Sequence, residues 1–189
     1  MIIYIHGFGS SGLGGKALQF RDYFKEKALS FVAPSLSYVP ELAMDTLEQL
    51  IESYDEEVTL IGSSLGGFYA IYLAEKYGLK AVLINPAVDS SKTLKRVLEM
   101  GDRAMNYYDG SDFTWQSSYV EMLKGYRVNE INKGEYLLFL QTADDILDYR
   151  EALEKLPKAQ TIVEEGGTHP FEGIERHFAL IEAFSTSTD

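Results

Sequence analysis

The chain contains no cysteine, which excludes a disulfide scaffold, thiolate metal sites and cysteine nucleophiles together. Histidine is scarce: three residues, at positions 6, 169 and 177, carry all the available imidazole chemistry. Basic residues are outnumbered, 17 Lys+Arg against 29 Asp+Glu, for a formal net charge of −12. A uniformly acidic surface repels phosphate backbones and anionic lipid, so neither nucleic-acid nor membrane-surface binding is expected. Long apolar runs are also missing. The N-terminal one, Met1 to Ile5, is too short for a signal-peptide core or a membrane span. Without a leader or cysteine, the expected setting is cytoplasmic. What remains is a 189-residue chain, 46% hydrophobic, with enough apolar material for one buried core. Residues 1–189 therefore read as a single domain.

Six short β-rich runs alternate with helical patterns: Ile2–His6, Phe31–Pro34, Val58–Gly62, Ala81–Pro86, Tyr136–Thr142 and Thr161–Glu165. Most are continuously apolar, as strands covered on both faces are. Between them, Leu47, Leu50, Ile51 and Tyr54 share one helical face. A helix over Leu65–Tyr77 is apolar nearly all round and is expected to be buried. Ile174, Phe178 and Ile181 mark a last helix, and the polar tail Ser185–Asp189 is expected to fray. This alternation predicts an α/β fold with about six mostly parallel strands and helices on both faces. One span breaks the rhythm: residues 87–133, after the fourth strand, show a helix over Ser91–Met100 and no strand. They read as a cap-like helical insertion. Its aromatics, Tyr107, Tyr108, Phe113, Trp115, Tyr119 and Tyr126, either line an apolar pocket or pack the segment onto the core.

The most informative residues are Gly62-Ser63-Ser64-Leu65-Gly66, a G-x-S-x-G pattern between a strand and a buried helix. A serine in such a turn is strained, projects its hydroxyl from the sheet edge, and faces the positive end of the following helix. Ser63, at the x position, is expected to point elsewhere. A serine needs a base, and the base an orienting acid. His169, in the Gly-Gly-Thr-His-Pro loop after the last strand, is the expected base, with Pro170 keeping it extended. His177 reads as an ordinary helix residue, and His6 as a strand end whose backbone matters more than its ring. Asp144 and Asp145 both follow the strand ending at Thr142. Asp144 is the favoured acid because the first position past the turn faces inward; Asp145 is second and Asp89 a lesser alternative. Asp148 reads as a helix cap with Glu151. The order Ser, Asp, His, each past a different strand, is that of an α/β-hydrolase. In parallel sheets such strand ends share one edge.

The first loop, His6 to Lys16, supports two readings. Gly7, Gly9 and Gly12 spell G-x-G-x-x-G, a dinucleotide-binding pattern, but the second strand ends without the carboxylate needed for the ribose. The alternative is an oxyanion hole in which the Phe8 and Leu65 amides donate to a tetrahedral intermediate, each supplying about 3 kcal/mol.

Together, Met-Ile-Ile-Tyr-Ile-His-Gly-Phe at the start, Ile61 to Phe68, Ile84-Asn-Pro-Ala87, Asp145 to Arg150 and Glu164 to His169 resemble the YqiA-type small bacterial esterases of the α/β-hydrolase superfamily. The resemblance runs essentially end to end. It implies a minimal hydrolase that begins at what is normally the third strand, with Ser64 as nucleophile, Asp144 as acid and His169 as base. The adjacent Asp145 leaves either carboxylate open to that role. The resemblance also implies a small-molecule partner, an ester of a short acyl group or a fatty acyl-CoA thioester. Hydrolysis through an acyl-enzyme requires neither metal nor organic cofactor. Lys92, Lys95, Arg96 and Arg103 either offset the repulsion of a polyanionic CoA or form a solvated helix face. The competing classes are a non-catalytic binding protein on the same fold and the dinucleotide-binding domain. The sequence points to no particular oligomeric state.

Overall fold

The computed structural model describes residues 1–187. Its main sheet contains β1 (Ile2–Ile5), β2 (Phe31–Val32), β3 (Thr59–Ser63), β4 (Lys80–Ile84), β7 (Glu135–Gln141) and β8 (Gln160–Glu164). They lie in the order β2-β1-β3-β4-β7-β8, and every neighbouring pair is parallel. All six expected strands are present, with ends shifted by a residue or two. The shortest is β2, which stops at Val32 after two residues. It is an edge strand, and beyond it Pro34 has no N–H to give a ladder. The chain there turns to meet the first loop: a Cβ on Gly12 would lie 2.1 Å from the Ala33 carbonyl oxygen.

Successive strand residues point to opposite faces, and each face carries its own apolar layer. On one, Ile2, Tyr4, Ile61, Val82, Leu137 and Phe139 meet Phe20 and Phe24 of α1 (Gly15–Glu26) and Phe178 and Ile181 of α7 (Phe178–Thr186). On the other, Ile3, Ile5, Leu60, Leu83 and Leu138 meet α2 (Pro40–Glu52), α3 (Leu65–Tyr77) and α6 (Tyr149–Lys155). The all-round apolar character of α3 follows from its burial, which includes Phe68, Tyr69, Ala70, Ile71, Leu73 and Ala74. The last helix is preceded by a 3-10 turn, Ile174–His177. It stays helical through Thr186, so Ser185 does not fray, while Thr188 and Asp189 lie outside the described residues. Among the described residues, no helix is long and apolar enough to cross a membrane.

The insertion contains α4 (Ser90–Glu99), α5 (Ser117–Lys124) and, between them, an antiparallel hairpin of β5 (Arg103–Met105) and β6 (Asp112–Thr114). The hairpin is the element that sequence pattern did not predict. Each strand has three residues and only one, Ala104 or Phe113, turned from solvent, so no alternation long enough to register exists. Trp115 just after β6 is 1% exposed, and its indole N–H donates to the Leu94 carbonyl at 3.2 Å.

Candidate active site

The carboxyl ends of β3, β7 and β8 converge on one edge of the sheet. Ser64, directly after β3, adopts φ 54° and ψ −119°, a conformation that non-glycine residues rarely take. The fit is enforced by bare backbone on either side. A Cβ on Gly62 would stand 2.4 Å from the Gly66 carbonyl oxygen, and one on Gly66 would stand 2.0 Å from that of Ile5. The Ser64 N–H donates to Ile84 at 3.2 Å, and its carbonyl accepts from Gly67 and Ala87. Leu65 opens α3, so its amide belongs to the first turn, whose N–H groups have no partner within the helix. The dipole of α3 places its positive end at this point.

His169 reaches the same edge from the loop after β8. Its Nε2 lies 2.8 Å from Ser64 Oγ, and its Nδ1 lies 2.8 Å and 3.0 Å from the two carboxylate oxygens of Asp144. An ionised carboxylate only accepts, so Nδ1 carries the proton, Nε2 presents its lone pair, and the Ser64 hydroxyl donates to it. The Asp144 side chain is 2% exposed and that of His169 19%. Burial works against the Asp144 charge, but the His169 bond and the Leu147 and Ile146 amides outweigh it and hold the carboxyl below its ordinary range. Asp145 is exposed and stands apart from the chain of bonds. Asp89 caps α4 and pairs with Arg127 at 3.4 Å, and Asp148 caps α6.

The first loop passes over the serine: a Cβ on Gly7 would lie 3.3 Å from Ser64 Cβ and 3.8 Å from its Oγ. The Phe8 amide follows directly. Here the ring of His6 matters, contrary to expectation. Its Nε2 accepts from Leu36 N–H at 2.9 Å and its Nδ1 donates to the Gly7 carbonyl at 2.8 Å. It thus staples this loop to the segment after β2. Burial lowers its basicity, with the Gly7 bond opposing, which keeps the staple neutral. Gly9, at φ 63°, accepts from Tyr107 N–H of the hairpin at 2.7 Å. Close packing against the serine, the hairpin and the Ala33–Pro34 segment after β2 therefore accounts for Gly7, Gly9 and Gly12 without a dinucleotide.

Beside this loop lies a cavity of about 20 Å³ lined by Phe8, Leu36, Tyr38, Leu65, Tyr69 and Trp115. Of the insertion's aromatics, Trp115 fills both anticipated roles, lining this cavity and packing in the core, while Tyr107 and Tyr108 are exposed and fill neither. Of the four clustered cations, Lys92 pairs with Glu151 at 3.0 Å and Arg103 with Asp112 at 2.7 Å. Lys95 and Arg96 have no ion-pair partner among the described residues.

Sequence reasoning assigned no role to Asn85 or Gln141, and both hold the His169 loop. Asn85 Nδ2 donates to the Thr168 and His169 carbonyls at 3.0 and 3.1 Å, while its Oδ1 accepts from Gln141 N–H at 2.9 Å. Gln141 Oε1 accepts from the Thr168 and Glu172 amides at 3.1 and 2.9 Å. The available signal was an Asn-Pro pair just past a strand, with Asn85 at φ 39°. His177 donates to Glu164 at 2.8 Å, which fits the structural reading given to it.

The chain is 28% identical over 189 residues to the UPF0227 protein of Pasteurella multocida, covering 97% of this chain and 98% of the relative. The UPF0227 protein of Serratia proteamaculans is 26% identical over 191 residues, covering 98% and 99%. Mouse alpha/beta hydrolase domain-containing protein 10 superposes with a TM-score of 0.75 at 18% identity, over 96% of this chain and 87% of the other. Paleococcus ferrophilus monoacylglycerol lipase gives 0.69 at 18% identity, over 98% and 93%. Est1E of Butyrivibrio proteoclasticus, with ferulic acid bound, gives 0.71 at 13% identity, over 97% and 86%. At these identities the structural likeness establishes the shared α/β-hydrolase fold. The family described as "Uncharacterised protein family (UPF0227)" matches residues 1–186, and the chain belongs to that family, built on the α/β-hydrolase fold.

Proposed function

We propose that the protein is a serine hydrolase that cleaves carboxylic esters or thioesters of short acyl groups through an acyl-enzyme. The observation that carries this reading is the unbroken line Ser64 Oγ–His169–Asp144, with 2.8 Å contacts on both sides of the ring. His169 Nε2 takes the hydroxyl proton as Ser64 Oγ attacks the carbonyl carbon. The negative charge that develops on the carbonyl oxygen meets the Phe8 and Leu65 amides. The imidazolium then gives its proton to the departing alkoxide or thiolate, leaving the acyl group on Ser64. Water, deprotonated by the same nitrogen, attacks the acyl-enzyme, and the proton returns to Ser64 as the acid leaves. Asp144 holds the ring in the required tautomer and stabilises its charged form.

A short acyl group rests on the resemblance, and the small cavity beside the oxyanion loop, lined by Phe8, Leu36, Leu65 and Trp115, offers it an apolar wall. A CoA thioester as the substrate, with the CoA thiolate as leaving group, rests on the resemblance and on Lys95 and Arg96, and a cytoplasmic setting goes with it.

A fluorophosphonate probe tests the reading, because it phosphonylates a serine only where a base has activated it. Labelling of the wild type that is lost in Ser64→Ala and retained in Ser63→Ala supports the hydrolase. An unlabelled wild type overturns it and favours a binding protein on the same fold.

A further inference from the structure

Lys16 occupies a place that electrostatics opposes. It sits in the first turn of α1, where the helix dipole is positive and no acidic residue offsets it. Burial draws its ammonium down to about 8, so the charge is held at a cost in solvation. Its partners explain the position. Lys16 Nζ donates to Ser63 Oγ at 3.2 Å and to the Pro170 carbonyl. Ser63 immediately precedes Ser64, and Pro170 immediately follows His169. Ser63 is itself buried, at 7% exposed, so the acceptor is held in the core and not in solvent.

We propose that Lys16 is a positioning residue for the Ser64–His169 pair, a cationic bridge that ties the loop carrying the base to the turn carrying the nucleophile. The inference rests on the hydrolase reading above and adds to it a residue that touches neither substrate nor reacting atoms. Asn85 grips the His169 loop from β4, through the carbonyls of Thr168 and His169. Lys16 grips the next carbonyl along, from α1. Gln141 and Asn85 anchor the loop from the sheet through Thr168, His169 and Glu172, and Lys16 is the tie from the α1 side; without it the segment at Pro170 can shift and carry Nε2 away from Ser64. The bridge also gives the x position of the G-x-S-x-G turn a purpose, since only a side chain able to accept a hydrogen bond can receive Nζ there.

The test compares Lys16→Met, Lys16→Arg and Ser63→Ala by fluorophosphonate labelling rate and by hydrolysis of p-nitrophenyl acetate, with thermal unfolding as the check on folding. Lys16→Met is expected to lower both the labelling rate and kcat about tenfold or more while KM stays within about twofold, because misplacement of a reacting group acts on the chemical step. Lys16→Arg, which keeps a cationic donor, is expected to recover most of the loss. Ser63→Ala removes one of the two acceptors, and is expected to label at a rate between those of Lys16→Met and the wild type. Labelling of Lys16→Met at the wild-type rate overturns the proposal, as does an equal fall in the Met and Arg variants. If Lys16→Met does not fold, Lys16→Arg and Ser63→Ala decide: a Ser63→Ala variant that labels at the full wild-type rate overturns the bridge. Failure of the wild type to label at Ser64 is a different result, and removes the hydrolase reading itself.

Discussion

The ring of Phe8 stands edge-on to the indole of Trp115, with centroids 4.8 Å apart. Through this contact the insertion reaches the loop expected to hold the oxyanion. Phe113 adds a second edge contact to Phe8 at 5.4 Å and stacks on Tyr38 at 3.6 Å. The small cavity is therefore closed by residues from three separate parts of the chain. Trp115→Leu is expected to open it and to raise kcat/KM for butanoyl over acetyl esters about tenfold, since two accommodated methylenes at about 0.8 kcal/mol each contribute about 1.6 kcal/mol. The same change leaves a void in the core and costs roughly 3 kcal/mol of stability. An acyl-length series on the wild type and the variant measures the first, and denaturant unfolding the second.

Asp144 and Asp145 are neighbours in sequence with opposite surroundings. Asp144→Asn is expected to reduce kcat by about 10⁴-fold, because an amide no longer selects the productive imidazole tautomer. Asp145→Asn, at an exposed carboxylate, is expected to stay within about twofold. Steady-state kinetics on a p-nitrophenyl ester separates the two. Equal losses would overturn the choice of Asp144 as the acid.

Glu164 joins the end of β8 to its surroundings through Gln141, Arg176 and His177. Burial acts to raise its carboxyl, but these partners prevail and hold it at about 2, against an ordinary 4.5. A depressed carboxylate contributes stability above its unfolded value and loses that contribution as pH falls toward the folded one. Glu164→Gln is therefore expected to be less stable than wild type at neutral pH. The gap should close between about pH 4.5 and 2, as followed by thermal unfolding across that range.

Lys95 and Arg96 lie exposed on α4 in a chain of net charge −12. If they offset the charge of a CoA leaving group, Lys95→Glu/Arg96→Glu raises KM for acetyl-CoA several-fold, more at low salt, and leaves p-nitrophenyl acetate unaffected. An unchanged KM for the thioester assigns the pair to the solvated face of the helix.

Parallel sheet, helix sides and the serine turn were legible in the sequence for physical reasons that act locally. Strands covered on both faces must be apolar throughout, which made β1, β3, β4 and β7 readable. A glycine-flanked serine between strand and helix has few other uses. The hairpin was not legible, because three-residue strands held by Asn106, Gly110 and contacts to Gly9 and Tyr38 carry no periodic signal. The ring of His6 was undervalued for a related reason: its acceptor role depends on Leu36, which lies 30 positions away in sequence.

By itself, then, the sequence determined the layers of the fold and the three residue types at the ends of β3, β7 and β8, since burial and turn geometry act over a few residues at a time. Tertiary structure alone decided which of two adjacent aspartates meets His169. It also decided that Asn85 and Lys16 grip the loop on either side of the ring, and that Trp115 closes the cavity beside Phe8. Those outcomes depend on distances between residues far apart in the chain, and such distances exist only once both faces of the sheet have been packed.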